Sequence, residues 1–333
     1  MTRPVVRSFW QSCVIALVVF CVSSPSFADP VRLAYLVSDL RIPFWNIMRG
    51  GIEARASALG YELSVFSAQN DTKRELQNAV QALSSGIDGL ILSPTNSSSA
   101  VTLLGLAEEA GVPVVIADIG TEAGTYVSYI ESDNEQGAFE LGRILVKTLN
   151  ARGWSEGGVG IVSIPQSREN GRARTRGFIQ ALEGSGFDTA GIRQQVDFSY
   201  RETYALSRDL MAQHERLRAI WLQGSDRYQG ALDAIRDAGR EGEVLLICFD
   251  AEPEFIDMIR DGSLVAAGMQ QPRLMGAKAV SALDDHLKGR VVPERQQVPV
   301  LAVSHDNLEQ LLPRIRRNVL GLDVEGADAV SQP

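Results

Sequence analysis

Short apolar segments alternate with amphipathic segments along most of the chain, and this alternation constrains the fold more than any other feature of the sequence. The apolar segments have the length of buried strands, and the segments between them have the period of helices that bury one face. Strands are predicted at residues 31–37, 61–68, 89–94, 113–118, 158–165, 219–224, 244–250, 265–270 and 298–304. Continuously apolar strands that alternate with helices predict a parallel sheet covered on both faces, with right-handed crossovers.

The pattern of strands and helices starts again after residue 132, which predicts two similar α/β halves. The first predicted helix places Ile47, Met48 and Ile52 on one face and is closed by Gly60. Further helices are predicted at residues 72–86, 97–110, 134–149 and 173–186. No low-complexity linker separates the halves, and the chain is long enough for two domains of ordinary size. The predicted fold class is therefore α/β, with two doubly wound, Rossmann-like domains.

The first residues of the chain have the pattern of a secretory signal peptide. Arg3 and Arg7 precede the apolar run 13–22, and small residues follow it in the sequence SSPSFA, which ends at Ala28. This order of basic, apolar and small residues predicts export with cleavage before Asp29. The alternative is a membrane anchor, but the apolar run is shorter than a bilayer-spanning helix.

Cleavage would change the cysteine content and the charge of the chain. A lipid on Cys21 is a second alternative, which the absence of a small residue before this cysteine disfavours. Residues 29–333 keep Cys248 as their one cysteine, so neither an intramolecular disulfide nor a cysteine metal site is expected. They carry 30 basic and 41 acidic residues, a net charge of −11, which argues against nucleic acid as a partner.

Candidate site residues follow the predicted strands, because open parallel sheets bind ligands beyond the carboxyl ends of their strands. Asp118 and Asp250 each end an apolar strand, and helix capping is the alternative interpretation for both. Phe44 and Trp45 stand side by side at the start of a helix, and Phe198 lies in the sequence DFSY, which is grouped with the segments at strand ends. A place in the core is the alternative for these three rings.

Four arginines follow the strand at 158–165, in the sequence RENGRARTRGF. They are Arg168, Arg172, Arg174 and Arg176. Helical spacing directs them to different sides, so at most two can face a cleft. Arg172 is predicted to face the cleft and the other three to lie in solvent, and the alternative is that the whole run is a solvated helix start.

No motif predicts an enzyme. His214, His286 and His305 lie far apart and away from the strand ends, and no HExxH, GxSxG or phosphate-loop sequence is present. Neither a cofactor nor a metal ion is predicted. A membrane-spanning segment is not expected in residues 29–333 either, since no further apolar run approaches the required length.

The sequence resembles the ribose-type sugar-binding proteins of bacterial ABC importers, and the resemblance covers most of residues 31–304 in order. The segments that carry it are PFWNIMRGGIEARASALGYEL, QALSSGIDGLILSPT, AGVPVVIAD, YIESDNEQGAFELG, RTRGF, CFDAEPE and QQPRLMGAKA. The resemblance implies a type I periplasmic binding protein, in which two α/β lobes joined by three chain crossings close on a ligand. It places residues 29–132 and 271–300 in the first lobe, and residues 133–270 and 301–333 in the second.

The resemblance also implies the ligand site. It matches Phe44, Trp45 and Phe198 to rings that stack on the sugar, matches Asp118, Arg172, Asp250 and Gln270 to groups that bind its hydroxyls, and places Ser132 in the lining. Rings suit the apolar faces of a sugar, and planar polar groups suit adjacent hydroxyls. The sequence departs from the family by Ile42, Ser93, Ile119 and Gly224 at positions of planar polar groups. A ribose would leave hydroxyls unpaired there, so ribose is not the expected ligand.

The predicted function is capture of a small polar ligand, a sugar or polyol other than ribose, by a periplasmic monomer that delivers it to the membrane permease of an ABC importer. The alternative is a sensor of the same fold that signals to a membrane receptor or histidine kinase. A third class with this fold, the sugar-responsive repressors, carries an N-terminal DNA-binding helix-turn-helix, whereas an export signal and an acidic balance are predicted for this chain.

Overall fold

The structure is a computed structural model that describes residues 1–2, 29–225 and 227–322. The predicted signal peptide is residues 1–28, of which the structure describes only the first two, and the polar sequence VEGADAVSQP at residues 324–333 predicts a frayed tail. Apart from those two residues, both predictions lie outside the described residues. The helices and strands belong to the compact unit that begins at Val31.

The first part of the chain alternates strands and helices in the order that the sequence predicts. The elements are β1 (Arg32–Val37), α1 (Pro43–Ala58), β2 (Glu62–Ser67), α2 (Thr72–Ser84), β3 (Gly89–Ser93), α3 (Ser97–Glu109), β4 (Val114–Ala117) and β5 (Ser128–Ser132). Pro43 starts α1, where a proline loses no helical hydrogen bond. The side chains of Asp71 and Asn96 cap α2 and α3, because each accepts a hydrogen bond from a backbone amide of the first turn.

The second part repeats this alternation. Its elements are α4 (Asn134–Ala151), β6 (Gly157–Ser163), α5 (Glu169–Leu182), β7 (Phe187–Gln194), α6 (Tyr200–Gln213), β8 (Leu217–Leu222), α7 (Tyr228–Asp237), β9 (Leu245–Phe249), α8 (Phe255–Asp261) and β10 (Ala266–Met269). The chain ends its described part with α9 (Pro272–Leu287), β11 (Arg295–Val298), β12 (Leu301–Ser304), α10 (Leu308–Arg314) and a π-helical turn (Ile315–Val319).

Within the described residues, the strands form two six-stranded sheets. The order of the first sheet is β11-β5-β4-β3-β1-β2, and the order of the second is β12-β10-β9-β8-β6-β7. The paired strands run parallel except for β10 and β12, which are antiparallel. The predicted fold class, two doubly wound parallel sheets, is confirmed. The first lobe is the sheet that contains β1 to β5, together with the helices that cover it. The second lobe is the sheet that contains β6 to β10, together with its helices.

The chain passes between the sheets three times in its described part, after β5, after β10 and between β11 and β12. Helix α9 packs on α1, β4 and β5, so it belongs to the first lobe, and α4 packs on α5 and β10 in the second. The prediction of one strand over residues 298–304 is wrong. The structure ends β11 at Val298 and starts β12 at Leu301, because the third crossing occurs at Pro299, which cannot donate to a strand ladder.

Each sheet is buried on both faces, as parallel sheets require. In β1, Leu33, Tyr35 and Val37 pack with α1 and α9, whereas Ala34 and Leu36 pack with α2 and α3 on the opposite face. The second sheet is covered in the same way, by α4 and α5 on one face and by α6, α7 and α8 on the other. In the described ranges, no helix is long and apolar enough to cross a membrane.

Candidate functional site

The carboxyl ends of the two sheets face each other, and side chains from the two lobes bond directly there. The Asn170 side-chain amide of α5 donates to Asp118 Oδ2 of the first lobe at 3.1 Å. The Glu169 backbone amide donates to Ser97 Oγ, at the start of α3, at 3.3 Å. The start of α5 therefore meets Asp118 and the start of α3 between the lobes.

Asp118 follows β4 and is 2% exposed. Its Oδ1 atom is buried and has no hydrogen-bond partner among the described residues, while Oδ2 accepts from Asn170. Burial raises the pKa of Asp118 to about 7, and the positive charge of Arg174 opposes this rise. The raised pKa favours the neutral form of this carboxyl relative to an exposed aspartate.

Asp250 follows β9 in the second lobe, and its two carboxylate oxygens have different partners. Gln270, which follows β10, donates from Nε2 to Oδ1, and Arg174 lies 3.4 Å from Oδ2. The Gln270 Oε1 atom is buried without a hydrogen-bond partner in the part of the chain that the structure describes. These three residues form a planar polar network on the second-lobe side of the cleft.

Arg174 holds this network in place. Its side chain is 2% exposed; Nε donates to Asn134 Oδ1 at 2.8 Å, and Nη1 donates to the Gln223 carbonyl at 2.6 Å. The guanidinium also lies 4.0 Å from the ring centroid of Phe249. A buried cation with several acceptors and an aromatic face is well compensated for its loss of water.

The expectation that Arg168 and Arg174 lie in solvent is wrong, since both are buried. Helix α5 turns residues 170, 174 and 177 inward, and Gly177 packs against the Glu135 carbonyl so closely that a Cβ would lie 1.9 Å from it. Arg174 shares that face. Arg172 points away from it: its side chain is 37% exposed and donates to Glu169 Oε2 and to the Gln166 carbonyl. The glycine at 177 is the signal in the sequence that identifies the buried face.

Arg168 precedes α5 and connects the lobes. Its Nε donates to the Thr95 carbonyl, and Nη2 donates to Asn70 Oδ1, each at 3.1 Å. Behind Thr95, the buried Glu75 carboxylate accepts from the Thr95 amide and hydroxyl. Burial lowers the pKa of Arg168, and the charges of Asp118 and Glu75 act in the opposite direction.

The aromatic candidates have different surroundings. Phe44 is half-buried and lines a cavity, whereas Trp45 is 4% exposed and packs in the core of the first lobe. Their rings meet edge to face with centroids 4.8 Å apart. Phe198 is half-buried beside Arg168, whose guanidinium lies 5.7 Å from its ring centroid. Ser132 ends β5, and its hydroxyl donates to Met275 Sδ in the first lobe.

A cavity of about 40 Å³, which is smaller than the usual small-molecule site, lies between the lobes. It brings together Phe44, Asp250 and Gln270 from the predicted set. The remaining residues of its lining are Ile42, Pro43, Ile47, Ser225, Ala251, Glu252, Pro272 and Val319. Ser132 lines a separate pocket with Asn170 and Arg295, so the structure does not bring it to this cavity.

The arrangement suits a ligand that donates hydrogen bonds and has an apolar surface. Asp118 and Gln270 each keep a buried acceptor without a partner among the described residues, and such groups are costly unless a donor reaches them. Phe44 provides an apolar face across the cavity. No cluster of histidine, cysteine or acidic side chains in the described ranges could hold a metal ion.

Comparisons with known proteins agree with this geometry. A family model described as "Periplasmic binding protein domain" matches residues 33–290. The chain is 30% identical over 282 residues to the ribose import binding protein RbsB of Haemophilus influenzae, and the aligned region covers 85% of this chain and 94% of that protein. It is 24% identical over 287 residues to the D-allose-binding periplasmic protein of Escherichia coli, with coverage of 83% and 91%.

Solved structures share the fold. A galactofuranose binding protein superimposes with a TM-score of 0.78 at 17% identity, over 87% of this chain and 99% of that chain. A solute binding protein from Bacillus halodurans with bound myo-inositol gives a TM-score of 0.77 at 22% identity, over 85% and 98%. At these identities the superpositions establish the architecture of the two lobes.

Proposed function

Because the chain belongs to the type I periplasmic binding proteins, in the ribose-like sugar-binding family of bacterial ABC importers, we propose that it captures a small neutral sugar or polyol between its lobes and delivers it to a membrane permease. The observation that carries this proposal is the network of Asp250, Gln270 and Arg174, which faces Phe44 across the cavity. Planar polar groups opposite a ring suit the hydroxyls and the C–H face of a sugar.

The proposal assigns ligand contacts to the residues predicted from the sequence and adds Arg174 to them. The contacts expected for Trp45, Ser132 and Arg172 remain predictions, and the surroundings of Arg172 favour Arg174 in its place. The relatives are named as binding proteins, and this supports a carrier without catalytic activity. Neither the relatives nor the described residues give support to the alternative of a sensor.

The ligand is proposed to differ from ribose, and the surroundings of the divergent positions support this. The Ser93 hydroxyl is fully buried against the Tyr35 hydroxyl at 3.2 Å, so it is engaged inside the first lobe. Ile119 is fully buried, and Ile42 lines the cavity with an aliphatic side chain. None of these three side chains offers a free donor or acceptor to a ribose hydroxyl. Each ribose hydroxyl left unpaired would weaken the free energy of binding by about 1–3 kcal/mol.

The proposal includes the setting in which the protein works. We place its mature N-terminus at Asp29 in the periplasm, and we treat residues 29–132 with 271–300 and residues 133–270 with 301–333 as two rigid lobes of a monomer. Closure would turn about the three crossings between the sheets. Intact-mass analysis of the exported protein would test the cleavage site, since retention of residues 1–28 or an acyl chain on Cys21 contradicts it.

A thermal-shift screen of sugars, polyols, nucleosides and small acids tests the proposed function. A ligand at 100 times its dissociation constant should raise the unfolding free energy by about 2.7 kcal/mol. The matched control is Asp250→Asn, which removes the charge that Arg174 pairs with while keeping the size of the side chain. A sugar or polyol should shift the wild type and lose most of its effect on the variant. A screen in which only nucleosides or acids shift the protein would contradict the proposal.

A further inference from the structure

The two walls of the cavity differ in chemistry. The second-lobe wall carries Ser225, Asp250, Glu252 and Gln270, which offer hydroxyl, carboxylate and amide groups. The described residues that the first lobe contributes to this cavity offer no hydrogen-bonding side chain, and Asp118 of the same lobe lies outside the lining. The first-lobe residues of the lining are Ile42, Pro43, Phe44, Ile47 and Pro272.

The backbone of the apolar wall is largely engaged as well. The Ile42 carbonyl accepts from the amides of Trp45 and Asn46 at 3.1 and 3.4 Å, at the start of α1. The Ile42 amide itself donates to the Asp39 carbonyl at 3.2 Å. Pro43 has no amide hydrogen to offer. The wall therefore presents mainly carbon to whatever occupies the cavity.

A fully hydroxylated sugar fits these walls poorly. Its hydroxyls surround the ring, so an orientation in which some of them bond to Asp250 and Gln270 would turn others toward Ile42 and Ile47, which line the same cavity. A ring face can stack on Phe44, but an aliphatic side chain at the edge of the ring offers no partner to an O–H group. A buried hydroxyl without a partner lowers affinity by about 5- to 150-fold.

We propose that the ligand is a deoxygenated sugar or polyol, which turns a methyl or methylene group toward Ile42 and Ile47 and its hydroxyls toward Asp250 and Gln270. This inference rests on the proposed function and narrows its ligand class. Contact with the apolar wall stabilises a bound methyl or methylene group, whereas it leaves a hydroxyl without a hydrogen-bond partner. The acidic residues Asp250 and Glu252 on the opposite wall disfavour sugar acids and sugar phosphates, because like charges repel.

The test compares sugars that differ by one oxygen atom. Isothermal titration calorimetry on residues 29–333 would use L-fucose with L-galactose, L-rhamnose with L-mannose, and 2-deoxy-D-ribose with D-ribose, next to the tightest ligand of the screen. The deoxygenated member of the pair that fits the cavity should bind at least about fivefold more tightly than its partner. The tightest ligand of the whole set should lack at least one hydroxyl.

Two other outcomes overturn the inference and differ in what they say about the function. If the tightest ligand is a fully hydroxylated sugar or polyol, the deoxygenated ligand class is wrong while the proposed function stands. If no sugar or polyol binds, the proposed function is wrong and this inference with it.

Substitution at Ile42 tests the position of the apolar wall. Ile42→Asn adds a donor and an acceptor, so the preference for the deoxygenated member should fall at least about fivefold, whereas Ile42→Val should keep it. Melting curves of both variants check that they fold. An unchanged preference in a folded Ile42→Asn protein would show that this side chain does not face the missing hydroxyl, and if the variant does not fold, the paired sugars on the wild type decide.

Discussion

The bridge that Arg168 forms between the lobes predicts the effect of replacing it by glutamine. Arg168 donates to the Thr95 carbonyl and to Asn70 Oδ1, and both acceptors belong to the first lobe. These bonds form only when the lobes meet. Arg168→Gln shortens the side chain and removes its charge, so it should favour the open form of the protein.

The magnitude follows from two opposing contributions. A hydrogen bond to a charged group contributes about 1.5–3 kcal/mol, so two bonds would stabilise the closed form by about 3–6 kcal/mol. Burial of the guanidinium, which also lowers the pKa of Arg168, offsets part of this gain. We expect a net loss of about 1–3 kcal/mol in the closure equilibrium, and ligand affinity should fall by the same factor, about 5- to 150-fold.

Small-angle scattering without ligand and calorimetry with the best ligand of the screen would measure the two effects. Arg176→Gln is the matched control, because Arg176 lies in the helix that follows Arg168 and its ion pairs within the described residues, with Glu135 and Glu169, lie at the surface of the second lobe. This variant should leave the radius of gyration unchanged and should change the free energy of ligand binding by less than about 1 kcal/mol. An Arg168→Gln protein with the radius of gyration and the affinity of the wild type would refute the bridge.

Further predictions concern the same cleft. Trp45→Ala should lower the unfolding free energy by about 3–5 kcal/mol because the ring is core, whereas Phe44→Ala should mainly weaken ligand binding; urea unfolding and calorimetry on each variant separate these outcomes. Burial raises the pKa of Asp118 to about 7, so its contribution to stability is complete below about pH 4 and is lost as the pH rises through 7. Asp118→Asn should therefore lose less unfolding free energy between pH 5 and pH 8 than the wild type, and equal losses would contradict the shift. Arg174→Gln should cost about 3–5 kcal/mol of unfolding free energy and Arg172→Gln less than about 1 kcal/mol, and equal melting temperatures of the two variants would contradict their assignment.

The fold could be predicted from the sequence because its central strands are apolar throughout. The residues of β3 and β4, for example, are buried on both faces of the sheet, so each strand is marked by an apolar run in the sequence. Strand β7 lies at the edge of the second sheet, is largely half-exposed and mixes Asp, Arg and Gln with apolar residues, so no run marks it. Local patterns also could not show that the chain changes sheets at Pro299, because that depends on contacts distant in sequence.

The strand ends that carry the candidate site could be located from the sequence, but the contacts among their side chains could not. The carboxyl ends of the strands identify Asp118, Asp250 and Gln270, because the topology of parallel sheets fixes their location. The choice among the arginines depends on which face of α5 packs inward, and that face is set by the contact of Gly177 with α4. Asn170 and its bond across the lobes have no signal in the sequence, since an asparagine near a helix start is common at any solvated cap.

Backbone conformation gives an independent indication that the loop after β7 has a function, and it leads to a last prediction. Phe198 has a φ of +55°, a left-handed value that is strained for a bulky residue, whereas aspartate and asparagine tolerate this region. Such strain persists only where the surroundings impose it, and here the Glu202 carboxylate accepts from the Phe198 amide at 2.9 Å. Glycine would relieve the strain, so Phe198→Gly should lower the unfolding free energy by less than the about 3–5 kcal/mol of a phenylalanine truncation in a core. If the ring contacts ligand, the variant should nevertheless bind more weakly in calorimetry. A Phe198→Gly protein that loses the full amount of stability and binds its ligand as the wild type does would identify Phe198 as a core residue.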